Sequence, residues 1–283
     1  MSRILSLAIA AMVCTFVSPG QDPFLRETIY SPVLVTTCQN YGSGFYWKRD
    51  TTLYFVTAAH VLFKDTSHTA LLCHTITLES HSKPSRKADN TQVIDLQAAL
   101  AARRIVRHRT QDIAVLLVGF ISQASRASFQ PYVTTVEHSD SGIVAVPSYL
   151  PFEEVCISND VYLLGYPRAI GFQNSPQLDY SQPLLRKGAV AGKNMKNRTI
   201  IIDCPSYPGN SGGPVFEIDY VPWGGHTYRL IGVLVESIPF PETWVNTVFR
   251  YTNISISNSG YSVVVPIDYA ADLVSAMSHQ QTR

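Results

Sequence analysis

Short apolar or alternating runs recur along the whole chain: "PVLVTTC", "GFYW", "TLYFVTAA", "TALLCHTITL", "IAVLLV", "DVYLLGYP", "TIIIDC", "GPVFEI", "YRLIGVLVES" and "YSVVVPI", separated by Gly, Pro, Asn and Ser. Many runs of strand length divided by turn formers point to an all-β barrel or sandwich. Two segments break the pattern. "DLQAALAARR", from Asp95, reads as a short helix, and "PIDYAADLVSAMSH", from Pro266, as a terminal helix with Asp268 near its start. Strand density drops between Gly119 and Glu154, in a polar, turn-rich stretch that marks a boundary between two β domains. A cleft between two such domains is a common place for an active site.

The 283 residues, 46% hydrophobic and 15% charged, are enough to bury a sizeable core. A formal net charge of +1 gives no electrostatic reason to expect nucleic acid. The nearest basic cluster, "RRIVRHR" from Arg103 to Arg109, alternates with Ile105 and Val106 as the solvated face of a strand does. At the start, Arg3 precedes the apolar run "ILSLAIAAMVCTFV", followed by Ser18, Pro19 and Gly20. Residues 1–20 therefore read as a signal peptide, too short to span a bilayer comfortably, and the mature chain is expected to be secreted or periplasmic, with no stable membrane span.

Removing that leader removes Cys14 and leaves Cys38, Cys73, Cys156 and Cys204. Four cysteines in an exported protein point to two disulfides with three possible connectivities. If each half of the chain closes on itself, the pairs are Cys38 with Cys73 and Cys156 with Cys204. His68, Cys73, His74 and His81 match no standard zinc spacing, and no metal or organic cofactor is expected.

Chemistry concentrates in "SYPGNSGGPVFEI", Ser206 to Ile218, where Ser211 sits among glycines that let a substrate approach the main chain closely. A serine that attacks an acyl carbon needs an imidazole to take its proton and a carboxylate to fix the tautomer of that imidazole. His60 ends the apolar run "YFVTAAHV", and Asp112 directly precedes the apolar run "IAVLLV". Their chain order, His60, Asp112, Ser211, is the chymotrypsin order and differs from those of subtilisin and the α/β-hydrolases.

In this order and at roughly these separations, "TAAH", "DIAVL" and "GNSGGP" resemble the trypsin/chymotrypsin-fold serine peptidases, nearest the HtrA-type and glutamyl-endopeptidase-like bacterial branch. The likeness extends to "GSGF" at Gly42, "YLLGYP", Asp203, "LIGVLVES" and "YSVVVPID". It implies two six-stranded antiparallel β-barrels with a C-terminal helix: a first barrel over 21–120 carrying His60 and Asp112, a connection over 121–154, and a second barrel over 155–283 carrying Ser211. It also implies Ser211 as nucleophile, His60 as general base and then acid, Asp112 as orienting carboxylate, and the N–H groups of Gly209 and Ser211 as oxyanion hole.

The departures are informative. Asn210 stands where digestive members carry an aspartate that pairs with a freed N-terminus, so activity is expected without such cleavage. Pro205 stands where trypsin carries its basic-specific aspartate, so cleavage after Lys or Arg is not expected. The expected substrate-binding walls are Pro205 and Tyr207, within Pro205 to Pro208, on one side and Val235, Glu236 and Ser237 on the other, suited to a small or medium uncharged side chain. His226 is the nearest counterpart of the histidine of glutamyl-specific relatives. Asn197 and Asn253 open formal glycosylation sequons. Two alternatives stand beside a peptidase acting on peptide or protein substrates. One is a protease-fold binding module without catalysis; the other is an α/β-hydrolase esterase, because Gly209, Ser211 and Gly213 also satisfy G-x-S-x-G, with Asp268 and His279 following.

Overall fold

The computed structural model describes residues 28–64, 70–83, 87–121, 127–138, 143–146, 148–168, 175–220 and 225–279; the leader at 1–20 and His68 lie outside them. The first half builds one sheet from β1 (Pro32–Thr36), β2 (Tyr41–Arg49), β3 (Thr52–Thr57), β4 (Thr75–Ser80), β5 (Asn90–Asp95), β6 (Ile105–Arg107), β7 (Ala114–Ile121), β8 (Ala127–Phe129), β9 (Val133–His138) and β10 (Ala145–Val146). Its order is β6-β7-β3-β2-β1-β4-β5-β9, with β8 on β7 and β10 on β2. The second half, β11 (Asp160–Gly165), β12 (Leu184–Asn194), β13 (Thr199–Asp203), β14 (Pro214–Tyr220), β15 (His226–Asn246) and β16 (Tyr251–Pro266), closes as a six-stranded barrel in the order β11-β12-β13-β16-β15-β14. Helices are few: α1 (Ala59–Leu62), α2 (Leu96–Ala101), capped by Asp95 through its bond from the Ala98 N–H, and the terminal α3 (Asp268–His279).

The curled first sheet and the closed barrel give the expected double-barrel architecture, with one difference. The first sheet has ten strands among the described residues rather than six, because β8, β9 and β10 fall in the 121–154 stretch expected to connect the barrels. They pair instead with β7, β5 and β2.

Two-residue periodicity explains how the barrels meet. In β3, Leu53 and Phe55 enter the core of the first sheet, while Tyr54 and Val56 point the other way. In β7, Ala114, Leu116 and Val118 go inward, and Val115 and Leu117 outward. The outward set packs against Leu164, Phe216, Val233 and Val265 of the second barrel and Ala270, Val274 and Met277 of α3, forming a shared core. A third core fills the second barrel around Leu163, Ile200, Ile202 and Ile231. Burying each such side chain contributes roughly 1.5–3 kcal/mol, which fixes the barrel docking on which a cleft site depends.

Cys38 and Cys73 are joined, tying the β1–β2 turn to the segment before β4. Cys73 is thus unavailable as a zinc ligand, and among the described residues no three His, Cys, Asp or Glu side chains are grouped to hold a metal. The Cys156–Cys204 pair does not form. Cys204 is fully buried in the second-barrel core and Cys156 is exposed before β11, so closing each half on itself describes only the first pair.

The α/β-hydrolase alternative fails on local structure. Such a serine needs a strand-to-helix turn, but here Pro214 opens strand β14, and Asp268 opens α3 while accepting the Phe152 N–H at 3.0 Å. Among the described residues no helix is long and apolar enough to cross a membrane.

Candidate active site

His60 is carried on the single turn of α1, which follows β3 after Ala58. Ala58, Ala59 and Leu62 are buried, so the turn is pinned on three sides and only the imidazole points outward, with 48% of its side chain exposed. Asp112 precedes β7, the neighbour of β3, and reaches His60 at two points. Its Oδ2 lies 2.5 Å from Nδ1, and its Oδ1 accepts the His60 backbone N–H at 2.8 Å. Burial pushes the Asp112 carboxyl up, but the ring and backbone bonds from His60 and the Arg107 charge outweigh it and hold the group below its ordinary value. Arg107 belongs to β6, so one member of the "RRIVRHR" cluster lies where its charge favours the Asp112 carboxylate.

Ser211 lies on the loop between β13 and β14, which is locked onto the first sheet. The Ser43 N–H donates to the Ser211 carbonyl at 2.8 Å, and the Ser43 hydroxyl donates to the Gly209 carbonyl at 2.7 Å while accepting the Tyr166 N–H at 2.9 Å. Thr57, three residues before His60, donates its hydroxyl to the Ser43 carbonyl at 2.7 Å. One buried serine of β2 therefore joins the Ser211 loop and the start of the segment after β11 through its hydroxyl and, through its carbonyl and Thr57, the strand that delivers His60. The motif "GSGF" contains this serine; its bridging role depends on partners more than a hundred residues away.

Two glycines are required by geometry. Gly212 has φ +91°, and a Cβ there would collide with the Ser43 carbonyl and the Thr57 hydroxyl; Gly209 has φ +100°, and a Cβ there would collide with the Tyr166 carbonyl. Gly212 donates its N–H to the Leu234 carbonyl at 2.7 Å. Asn210, 1% exposed, closes the turn on Tyr207: its N–H donates to the Tyr207 carbonyl at 2.9 Å, and its Oδ1 accepts the Tyr207 N–H at 3.1 Å. Among the described residues, no hydrogen-bond acceptor meets the N–H of Gly209 or of Ser211.

Beside Ser211 lies a cavity of about 280 Å³ lined by Ser206, Tyr207, Pro208, Leu234, Val235, Glu236 and Ser237. Four of the five expected wall positions border it or adjoin it directly: Tyr207, Val235, Glu236 and Ser237. Pro205 does not line it; Ser206 occupies that wall, its hydroxyl 2.8 Å from that of Ser262. His226 is also absent. It lies at the far end of β15, edge-on to Tyr220 with centroids 4.8 Å apart. A larger cavity of about 710 Å³ opens behind Asp112, between Gln111, Asn197, Thr199, Val235 and Tyr269.

Two packed β domains, with a carboxylate-held histidine on one and a glycine-supported serine loop on the other, have the architecture of a chymotrypsin-like peptidase. The chain belongs to the trypsin-like peptidase domain family, whose model matches residues 42–220. A solved structure described as an HtrA-type protease AlgW with tripeptide superposes with a TM-score of 0.52 at 14% identity, covering 90% of this chain and 63% of that one. The chain thus spans less than two thirds of that protease's length. No curated protein sequence matches it significantly.

Proposed function

We propose that the protein is an exported serine endopeptidase that cleaves peptide bonds through His60, Asp112 and Ser211. The observation that carries this is the two-point hold of Asp112 on His60, which leaves the other ring nitrogen directed away from the carboxylate. In this reading Ser211 Oγ attacks the scissile carbonyl and passes its proton to His60. The Gly209 and Ser211 N–H groups receive the oxyanion; losing one such donor typically costs about 100- to 1000-fold in rate. His60 then protonates the leaving amine, and water resolves the acyl-enzyme.

An extended substrate segment pairs with the Val235–Ser237 edge, by analogy with the tripeptide named in the HtrA-type structure. Its side chain enters the 280 Å³ cavity, whose size and mainly apolar or hydroxylated lining favour a small or medium uncharged group. The local bonding of Asn210 supports activity without a freed N-terminus. Export is supported by the Cys38–Cys73 bond, since such cross-links persist in oxidising compartments.

A fluorophosphonate probe tests the reading. Mass mapping should find the adduct on Ser211 and none on Ser211→Ala, whose kcat should fall on the order of a millionfold. A folded protein that takes up no probe would instead be a binding module built on the peptidase fold.

A further inference from the structure

β15 and β16 continue well past the barrel. Beyond Ser237 they pair, among the described residues, only with each other, from Pro239 opposite Asn258 to Asn246 opposite Tyr251, and reach about 25 Å from the barrel wall at ordinary strand rise. The tip is ordered by Asn246, whose Oδ1 accepts the N–H groups of Val248 and Phe249, with Arg250 in the left-handed region. This arm carries exposed apolar side chains on both faces and at its tip, interleaved with polar ones. Phe240, Trp244 (63% exposed) and Tyr251 occupy one face, Val245, Ile254 and Ile256 the other, and Val248 (80% exposed) and Phe249 the tip. A lone two-stranded ribbon is marginal in water. Its eight exposed apolar side chains present on the order of 1,000 Å² to solvent, beyond the few hundred Å² of a typical monomer patch and therefore the mark of an interaction site.

The two edges of the arm differ. Pro239 and Pro241 sit opposite Asn258 and Ile256, and a residue without an N–H stands in a ladder only where that group would point outward. The outer edge of β15 therefore lacks donors at these two positions, which blunts it for further pairing. By the same alternation Ile254 and Ile256 turn their backbone groups outward on β16, along the edge that pairs with β13 only as far as Tyr261. That edge carries no proline between Tyr251 and Gly260. Glu242 and Arg250 are the only charges from Ile238 to Gly260, so two arms meet without net repulsion.

We propose that the arm is a dimerisation element and its partner a second copy of this chain, the two β16 strands pairing antiparallel about a two-fold axis. An axis at Ser255 sets Ile254 opposite the partner's Ile256, and Ile256 opposite the partner's Ile254, each pair exchanging N–H···O bonds. The result is a four-stranded sheet, β15-β16-β16-β15, whose outer edges are both guarded by prolines. Such an interface is isologous and closed, which limits assembly to two copies.

Sedimentation velocity on the full mature chain tests this. The unaltered protein should run as a dimer at micromolar concentration. Ile254→Lys/Ile256→Lys places like charges across the axis and should give a monomer with an unchanged far-ultraviolet circular dichroism spectrum. Ile256→Pro removes one outward N–H without touching the internal ladder of the arm and should also give a monomer. The proposal is overturned by an unaltered protein that stays monomeric up to about 100 µM, by a dimer that survives both substitutions, or by a monomer that cosediments with phosphatidylcholine vesicles through this arm.

Discussion

Asp112 and His60 are joined by two bonds of different kinds, one from the ring at 2.5 Å and one from the backbone N–H at 2.8 Å. The backbone bond fixes where α1 begins; the ring bond fixes which way the imidazole faces.

Asp112→Asn separates these roles. The amide oxygen can keep the backbone bond, but its N–H₂ cannot accept from Nδ1, so the wrong tautomer is held in place. Steady-state kinetics should show kcat lower by about 10⁴ with KM little changed, and a melting curve close to the unaltered protein's.

The sign of the acid dependence follows from the lowered pKa of Asp112. A carboxylate whose folded value lies below its unfolded one adds stability that is complete above the unfolded range, near 4, and is lost as the pH falls through the folded value. Melts of the unaltered protein and Asp112→Ala should differ at pH 7 and converge as the pH is taken below about 4. A gap that persists unchanged at pH 2 would mean that charge is not what the dyad contributes. Any activity lost above pH 5 is not due to Asp112, which stays ionised there.

Ser43→Ala should strike the site from a distance. It strips the Gly209 carbonyl and the Tyr166 N–H of their shared partner, at a cost of about 1–3 kcal/mol for buried groups left unpaired. The loosened loop should lower kcat by about 100-fold. Ser43→Thr, which keeps the hydroxyl, should recover part of that loss, whereas a purely structural defect would lower the melting temperature of both variants alike.

The two unpaired cysteines among the described residues should react in sequence. Cys156 is exposed and should react quickly with a thiol reagent in the native state. Burial lifts the Cys204 thiol to about 11, so it should react only after unfolding. Two fast thiols, or none, would contradict this arrangement.

Cys38→Ser/Cys73→Ser opens a loop with a sequence separation of 35 residues. Chain-entropy reasoning gives a loss of about 3–4 kcal/mol. Urea denaturation should show a lower midpoint, while Ser211 labelling of the folded fraction is retained.

Local motifs made the triad candidates legible. His60, Asp112 and Ser211 each stand in a short, recognisable window, and strand alternation around them is strong. What escaped depends on distance. Ser43 is a small residue in a glycine-flanked strand until the fold brings Gly209 and Tyr166 to its hydroxyl. Cys156 and Cys204 looked alike as letters, but one faces solvent and the other a barrel core. β8 and β9 are polar enough to pass for linker, and gain their identity from β7 and β5. The arm was hidden by Pro239 and Pro241, which argue against a strand unless it has a free edge for them to face.

The Gly212 anchor on the Leu234 carbonyl has a consequence for biosynthesis. Leu234 lies in β15, and the barrel closes only when β16, its last strand in sequence, enters between β13 and β15. A chain emerging from the ribosome has His60, Asp112 and Ser211 outside long before β16 follows. Until then the barrel that seats the serine loop stays open, so the loop takes up its final geometry only once the last strand is made.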